Sequence, residues 1–287
     1  MRVSRQWRNL VNRLVGVRGD LQVWWTTELP LIYIDNPKAG CSTIKYSLKK
    51  LQADAYRCRQ SSPSGQISAS PHASDNFLRK RGLSPSACRE RYLISCVRNP
   101  FTRALSGYLD KVVSGDPNRY PELRNKEINS FEAHLKAVAE YPQSDLDRHF
   151  RPQHLNLDYP RLSYDAVFFL ENLPPLGRFL EEIHAGPQLE KFAPHSRGAN
   201  AKLRQHYTDG AIALAREIYA LDFAVFGYST DLADVGAAPG AYIDGNSALL
   251  SDVQEPLLPE RPIHAEIPGL PFEKTLRYRR LIDMRLL

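Results

Sequence analysis

Three short runs of apolar residues along the chain predict buried β-strands. They lie at residues 31–34 (LIYI), 91–97 (RYLISCV) and 164–173 (YDAVFFLENL), and all three are rich in β-branched or aromatic side chains. The first run stops at Asn36-Pro37, because proline cannot continue a central ladder. The second is apolar at nearly every position, which is typical of a parallel strand covered on both faces.

Apolar residues at helical spacing follow the first two runs. Residues 41–51 place Cys41, Ile44, Leu48 and Leu51 on one face, and residues 101–112 carry a similar stripe directly after a proline, which suits a first helical position. Further helices are predicted after Ser130, a typical N-cap residue, and over 208–226. A chain of 287 residues, 43% hydrophobic, can bury one core. We therefore expect a single α/β domain with a central parallel sheet flanked by helices.

The two ends of the chain differ from its middle. Residues 1–27 scatter arginines among apolar positions and predict a basic amphipathic lead-in helix. They hold no apolar run near the roughly 20 residues of a membrane span and no signal-peptide core. Residues 28–230 form the predicted domain. Residues 231–287 are rich in proline, end in several arginines and predict a peripheral extension.

The loop between the first predicted strand and helix has the composition of an anion site. Small residues let backbone N–H groups approach a phosphate, hydroxyls add donors, and a helix N-terminus adds partial positive charge. Lys38 adds a full charge. The lysine precedes the turn, so the loop does not match GxxxxGK[ST]. The candidate phosphate-binding residues are Lys38, Ala39, Gly40, Cys41, Ser42 and Thr43.

A second polar cluster follows the second predicted strand. Arg98 ends that strand, and Ser106 lies off the apolar stripe of the next helix, on the side expected to face ligands at the strands' carboxyl ends. Arg103 lies on the same polar side, where we favour a structural ion pair with Asp110 or a neighbouring carboxylate.

These stretches resemble the paired nucleotide-binding signatures of the sulfotransferases. The closest likeness is to the carbohydrate type that includes the chondroitin, dermatan and HNK-1 enzymes, with patterns PKxACTxxK and VRxPFxRLxSAYxxK. The chain has PKAGCSTIK at 37–45 and VRNPFTRALSGYLDK at 97–111. Residues 222–228 (DFAVFGY) also resemble a closing DFxxFGY. The similarity covers about residues 28–230.

The resemblance implies a P-loop-like nucleotide-binding fold and a reaction. A sulfuryl group passes from 3′-phosphoadenosine 5′-phosphosulfate (PAPS) to a carbohydrate hydroxyl by in-line displacement. Lys38 would stabilise the leaving group, residues 39–43 would hold the 5′-phosphate, and Arg98 with Ser106 would bind the 3′-phosphate. No metal is expected.

The resemblance also implies a histidine base between the signatures, which makes His72 the catalytic candidate. A histidine in a polar loop is otherwise an ordinary solvated side chain. His149 is the reserve candidate, in a segment (147–154) that resembles HWRPQ and either grips an anionic sugar or hydrogen-bonds a loop. A basic loop, comparable with one that closes over adenosine, adds weak cofactor candidates. They are Arg197, Lys202 and Arg204.

Charge and cysteine content narrow the class of partner. The net charge of +6 favours nucleic acid, membrane surface, sulfonucleotide or acidic polysaccharide, and the resemblance selects the last two rather than nucleic acid. The four cysteines show no paired CxxC spacing, so a zinc site is not expected. Cys41 and Cys96 are expected as free thiols, while Cys58 and Cys88 could form a disulfide in an oxidising compartment. Without a membrane anchor, the chain is expected to be a cytoplasmic bacterial relative or a Golgi-lumen catalytic domain lacking its anchor.

Two other function classes stay open on the sequence. A nucleotide kinase could hold ATP in the same loop, with Asp35 as the nearest carboxylate for magnesium. A noncatalytic glycan- or nucleic-acid-binding protein would keep the basic surface, but it would not need Lys38, Arg98 and Ser106 together.

Overall fold

The computed structural model of the protein describes residues 20–26, 29–59, 70–75, 78–81, 91–159, 162, 164–183 and 199–244. Its strands are β1 (Val23–Thr26), β2 (Leu31–Ile34), β3 (Leu78–Arg81), β4 (Tyr92–Val97), β5 (Ala166–Phe169) and β6 (Tyr242–Asp244). Its α-helices are α1 (Cys41–Arg59), α2 (Pro100–Tyr108), α3 (Phe131–Ala139), α4 (Gln153–Asn156), α5 (Pro174–Glu182), α6 (Ala199–His206), α7 (Asp209–Ile218) and α8 (Ala220–Phe226). A π-helical turn, Leu109–Val113, extends α2.

The described strands form one mixed sheet in the order β3-β1-β2-β4-β5-β6. Only the central strands β2, β4 and β5 are parallel, and they are the three that the apolar runs predicted. The expectation of a parallel sheet is therefore wrong for the outer strands β1, β3 and β6, which pair antiparallel with their neighbours. These three strands are short and carry no apolar run long enough to distinguish them from loops.

The sheet reaches into both segments that were expected to lie outside the domain. Val23–Thr26, within the predicted lead-in helix, instead forms β1 between β2 and β3. Tyr242–Asp244, within the predicted extension, forms β6 on the far edge. Residues 1–19 and 245–287 lie outside the described part of the chain, so the rest of both predictions is untested.

The helices cover both faces of the sheet, because alternate residues of the central strands point to opposite sides. One core lies against α2, α3, α7 and α8, and the other lies against α1 and α5. Strand residues in the first core include Ile32, Ile34, Val97, Val167 and Phe169, and those in the second include Leu31, Tyr33, Cys96, Ala166 and Phe168. This arrangement is a single mixed α/β domain. No helix in the described part of the chain is long and apolar enough to cross a membrane.

The structure shows where two of the predicted helices begin or end. The Ser130 hydroxyl accepts a hydrogen bond from Ala133 N at 3.1 Å, which confirms it as the N-cap of α3. The helix predicted over 208–226 is broken at Tyr219 into α7 and α8. The second part ends at Gly227, whose φ of 73° is left-handed.

Arg103 ties three segments together from the middle of α2. Its buried guanidinium donates to the carbonyls of Pro37, Arg148 and Arg151 at 2.9–3.0 Å. The predicted ion pair with Asp110 is therefore wrong, since Arg103 instead satisfies backbone oxygens that the fold has removed from water.

We predict that Arg103→Met destabilises the fold by at least about 3 kcal/mol, because it leaves several buried carbonyls without donors. The matched control is Arg216→Met, since Arg216 also donates to a carbonyl, that of Thr230, but on an exposed surface. This control should stay within about 0.5 kcal/mol of wild type. Urea unfolding of the variants measures both, and similar losses would contradict the structural role of Arg103.

Candidate functional site

The loop between β2 and α1 has a backbone conformation that residues other than glycine rarely adopt. Lys38 has a φ of 68° and Gly40 a φ of 76°, both in the left-handed region. A Cβ at Gly40 would lie 2.6 Å from Leu170 Cδ1, so glycine is required there by conformation and by space. A non-glycine residue held in this region costs about 1–3 kcal/mol, and such strain clusters at ligand sites. The lysine is thus held in place by the surrounding structure.

The Lys38 ammonium is paired with a carboxylate from the turn that follows α2. Its Nζ lies 3.2 Å from Asp110 Oδ2, and Lys111 Nζ lies 3.0 Å from the same oxygen. Burial alone would raise the pKa of Asp110, but the two lysines together hold it well below its usual range. Burial lowers the pKa of Lys38, and the charge of Asp110 opposes this effect. No motif in the sequence predicts this contact.

Arg98 lies between the loop and α2. Its Nε donates to Thr102 Oγ1 at 2.9 Å, and its Nη1 donates to the carbonyl of Lys38 at 3.3 Å. Ser106 lies one turn beyond Thr102 on the same face of α2. Arg98 therefore links the Lys38 loop to the first turn of α2, and Ser106 follows one turn later on the same helix face.

A buried glutamine sets the spacing between the two strand ends. Gln153 Oε1 accepts from Asn36 Nδ2 and from the backbone N–H of Arg98, both at 2.9 Å, and its Nε2 donates to the Arg98 carbonyl at 2.7 Å. Asp222 accepts from the backbone N–H groups of Gln153 and His154. This end of the 147–154 segment therefore hydrogen-bonds the site loops, which is one of the two readings that the sequence left open.

His72 lies against the first turns of α1. Its Nε2 is 3.0 Å from Ser42 Oγ, and its Nδ1 is 2.7 Å from Lys45 Nζ. Lys45 is fully buried and pairs with Asp35 Oδ2 at 3.0 Å. Burial would raise the pKa of Asp35, but Lys45 and Arg148 lower it below its usual value.

His149 has a different partner from His72. Its Nδ1 is 2.6 Å from Asp147 Oδ1, and its side chain is 30% exposed. Burial lowers the pKa of His149, Asp147 opposes this, and the charges of Lys111 and Lys38 lower it further. The net effect lowers the pKa of His149, which favours the neutral imidazole.

The model of the sulfotransferase family matches residues 22–229, more than two thirds of the 287 residues. The chain belongs to the sulfotransferase family. No curated protein and no solved structure shows significant similarity to it. Membership of this family supports sulfuryl transfer as the general activity. The matched region begins in the loop before β1 and ends just after α8, so it contains every described candidate residue of the site.

The remaining cofactor candidates of this sulfotransferase family member lie on or just before α6. Lys202 and Arg204 are exposed on α6 rather than in a loop, and Arg197 lies outside the described residues. Cys41 and Cys96 are free thiols, as predicted. Burial and the charge of Asp35 raise the pKa of Cys41 to about 11, so it is not a thiolate at neutral pH. No acidic, histidine or cysteine cluster suited to a metal ion occurs among the described residues.

We predict that Gly40→Ala destabilises the protein by about 1–3 kcal/mol, through the left-handed φ and the contact with Leu170. Leu170→Ala supplies the background that separates the two causes. In that background Gly40→Ala should cost less, but still about 1 kcal/mol or more, because the backbone strain persists. Urea unfolding of the four proteins measures the coupling, and a neutral Gly40→Ala would contradict the strained loop.

Proposed function

We propose that the protein transfers a sulfuryl group from PAPS to a hydroxyl of an anionic carbohydrate, by in-line displacement in a P-loop-like nucleotide-binding fold. The observation that carries the proposal is the hydrogen bond from Arg98 to the carbonyl of Lys38, with Ser106 further along the same face of α2, in a chain that belongs to the sulfotransferase family. Members of this family typically use PAPS as the donor.

The loop and helix α1 have the features that a phosphosulfate requires. Residues 39–43 lie at the N-terminus of a 19-residue helix, where backbone N–H groups and the helix dipole favour an anion. Arg98 and Ser106, on the neighbouring strand end and helix, would bind the 3′-phosphate. An arginine can bind a phosphate with two parallel hydrogen bonds, which distinguishes a 3′-phosphorylated nucleotide from ATP.

Lys38 supplies the positive charge for the transition state. Negative charge grows on the bridging oxygen as the sulfur–oxygen bond breaks, and a fixed cation there stabilises that charge by about 3 kcal/mol or more. The strained backbone and the contact with Asp110 hold the ammonium group in place before the donor arrives. Lys38 would then exchange its contact with Asp110 for the incoming anion.

The charge around the site supports an anionic sugar acceptor. Arg119 and Arg124 are exposed on the polar segment that follows α2, and Arg148 is half-buried beside the loop. Arg151 instead binds groups of the protein itself, since it donates to Asp20 and to the carbonyl of Leu146. A panel of acceptors should therefore favour sulfated or uronate-containing oligosaccharides over a neutral lipid or a phenol.

We predict that Arg98→Ala weakens adenosine 3′,5′-bisphosphate binding by about 1.5–3 kcal/mol, the loss for a charge-assisted hydrogen bond. Any affinity for ATP with magnesium should not change, because ATP lacks the 3′-phosphate. Calorimetric titration of both nucleotides measures the difference, and Ser106→Ala should act in the same direction more weakly. Equal losses of affinity for the two nucleotides would contradict the assignment of Arg98 to the 3′-phosphate and would favour a kinase.

We predict that Lys38→Ala lowers kcat by about 100-fold or more while weakening binding of the spent nucleotide much less, since its main partner is transition-state charge. The matched control is Lys126→Ala, which removes a surface lysine paired with Glu140 at 2.8 Å and should leave kcat within threefold. Sulfuryl transfer from radiolabelled PAPS gives both values. A kcat for Lys38→Ala within threefold of wild type would transfer the role to Lys45.

A further inference from the structure

The two histidines beside the loop differ in the charge of the group that contacts Nδ1. In His72 that group is the ammonium of Lys45, and in His149 it is the carboxylate of Asp147. A cation can only donate to the ring nitrogen, whereas a carboxylate can only accept from it. The two contacts therefore select opposite tautomers of the neutral imidazole.

His72 is held as a hydrogen-bond donor at Nε2. Lys45 is buried in an ion pair with the Asp35 carboxylate, and its ammonium group donates a hydrogen bond to Nδ1 of His72 at 2.7 Å. The proton of the neutral ring then lies on Nε2 and points to Ser42 Oγ at 3.0 Å. A nitrogen that already carries a proton cannot accept one from an acceptor hydroxyl.

His149 has the opposite arrangement. Its Nδ1–H donates to Asp147 at 2.6 Å, which leaves Nε2 without a proton and able to accept one. The same carboxylate accepts from the backbone N–H of His149 at 2.9 Å, so its position is fixed by two bonds. Histidines that act as general bases are commonly oriented in this way, by a carboxylate that accepts from Nδ1–H.

The backbone places His149 against α2, and the charge of Lys38 acts on its ring. Its carbonyl packs on α2, where a Cβ added at Gly107, the residue after Ser106, would lie only 3.0 Å away. Its neighbour Arg148 donates to the carbonyl of Asp35, at the start of the phosphate loop. The charged groups that act on the imidazole are Asp147, Lys111 and Lys38.

We propose that His149, oriented by Asp147, is the general base of the transfer, and that His72 is a donor that Lys45 positions against the loop. This inference rests on the proposed function. Nε2 of His149 takes the proton of the acceptor hydroxyl as the acceptor oxygen bonds to sulfur. The bond from sulfur to the bridging oxygen breaks, and its electron pair leaves on the 5′-phosphate. The Nδ1–H bond to Asp147 is kept, and the imidazolium later returns its extra proton to water.

The loop that carries His72 is held in place by buried contacts. A histidine held in this way suits a fixed hydrogen-bond donor rather than a group that carries protons. Lys49, fully buried on α1, pairs with Asp75 at 3.0 Å and donates to the carbonyls of Ser70 and Ala73. Two buried lysines of one helix, Lys45 and Lys49, thus hold this loop. A donor fixed beside Ser42 suits an oxygen of the bound phosphosulfate.

The first test reads the tautomers directly in the full-length protein. Nitrogen-15 NMR of labelled histidines distinguishes protonated from unprotonated ring nitrogens, and the variants His149→Gln and His72→Gln assign the signals by their loss. At neutral pH we expect His149 with a bare Nε2 and His72 with a bare Nδ1. A bare Nε2 on His72, or a proton on Nε2 of His149, would overturn the inference.

The second test measures transfer of radiolabelled sulfuryl from PAPS to partially sulfated chondroitin oligosaccharides. Wild-type kcat/KM should rise with pH to a plateau, with an apparent pKa below the ordinary histidine value of about 6.5. His149→Gln should lower kcat by about 10²- to 10⁴-fold and remove the rising limb. His72→Gln should keep that limb, and adenosine 3′,5′-bisphosphate affinity should change less than twofold in His149→Gln. The matched control, His206→Gln on α6, should match wild type.

The outcomes separate the two proposals. If His149→Gln keeps the rising limb and most of its rate, the base assignment fails while the proposed function stands. If wild-type protein binds adenosine 3′,5′-bisphosphate but transfers no sulfuryl group to any acceptor in the panel, the proposed function fails. Asp147→Asn gives a further check on positioning, since it should lower kcat without changing donor affinity. An unchanged kcat would show that Asp147 does not orient the base.

Discussion

The hydrogen bonds of the buried Gln153 side chain fix the distance between two strand ends on which the site is built. One amide group joins Asn36, just after β2, to both backbone groups of Arg98, just after β4. The amide satisfies all of these partners at once, and Asn36 and Gln153 are themselves fully buried. The loop that starts at Asn36 and the helix that starts after Arg98 therefore keep one relative position. Asp222 in turn holds the backbone of Gln153, so α8 supports the site from the far side of the core.

Charge at the site is arranged in pairs that are formed before any ligand arrives. Lys38 is paired with Asp110, and Lys45 with Asp35, so each buried or half-buried ammonium has an acid within 3.2 Å. Leaving one of these cations unpaired would cost much of its solvation energy. Pairing instead fixes the direction of each cation. A preorganised cation needs little rearrangement when charge develops in the reaction, which is the main way that such sites stabilise transition states.

The central strands and the main helices could be predicted because their signals are local. Runs of apolar residues predict β2, β4 and β5, and apolar residues at helical spacing predict α1 and α2. The outer strands β1, β3 and β6 could not be predicted, since pairing with a distant neighbour makes them strands. The same limit applies to the site. Lys38, Arg98 and Ser106 were found through motifs, whereas the partners Asp110 and Gln153 depend on contacts between segments far apart in the chain.

Strand β6 lies outside the part of the chain that matches the family, which ends at residue 229. It pairs antiparallel with β5, joining Phe168 to Tyr242 and Ala166 to Asp244, and so covers one edge of the sheet. A shortened protein that stops at the family boundary would expose a row of unpaired N–H and C=O groups along a strand with the sequence AVFF. Such an edge recruits strands from other molecules. Recombinant versions of this domain should therefore extend at least through residue 244, or they will tend to aggregate before their chemistry can be measured.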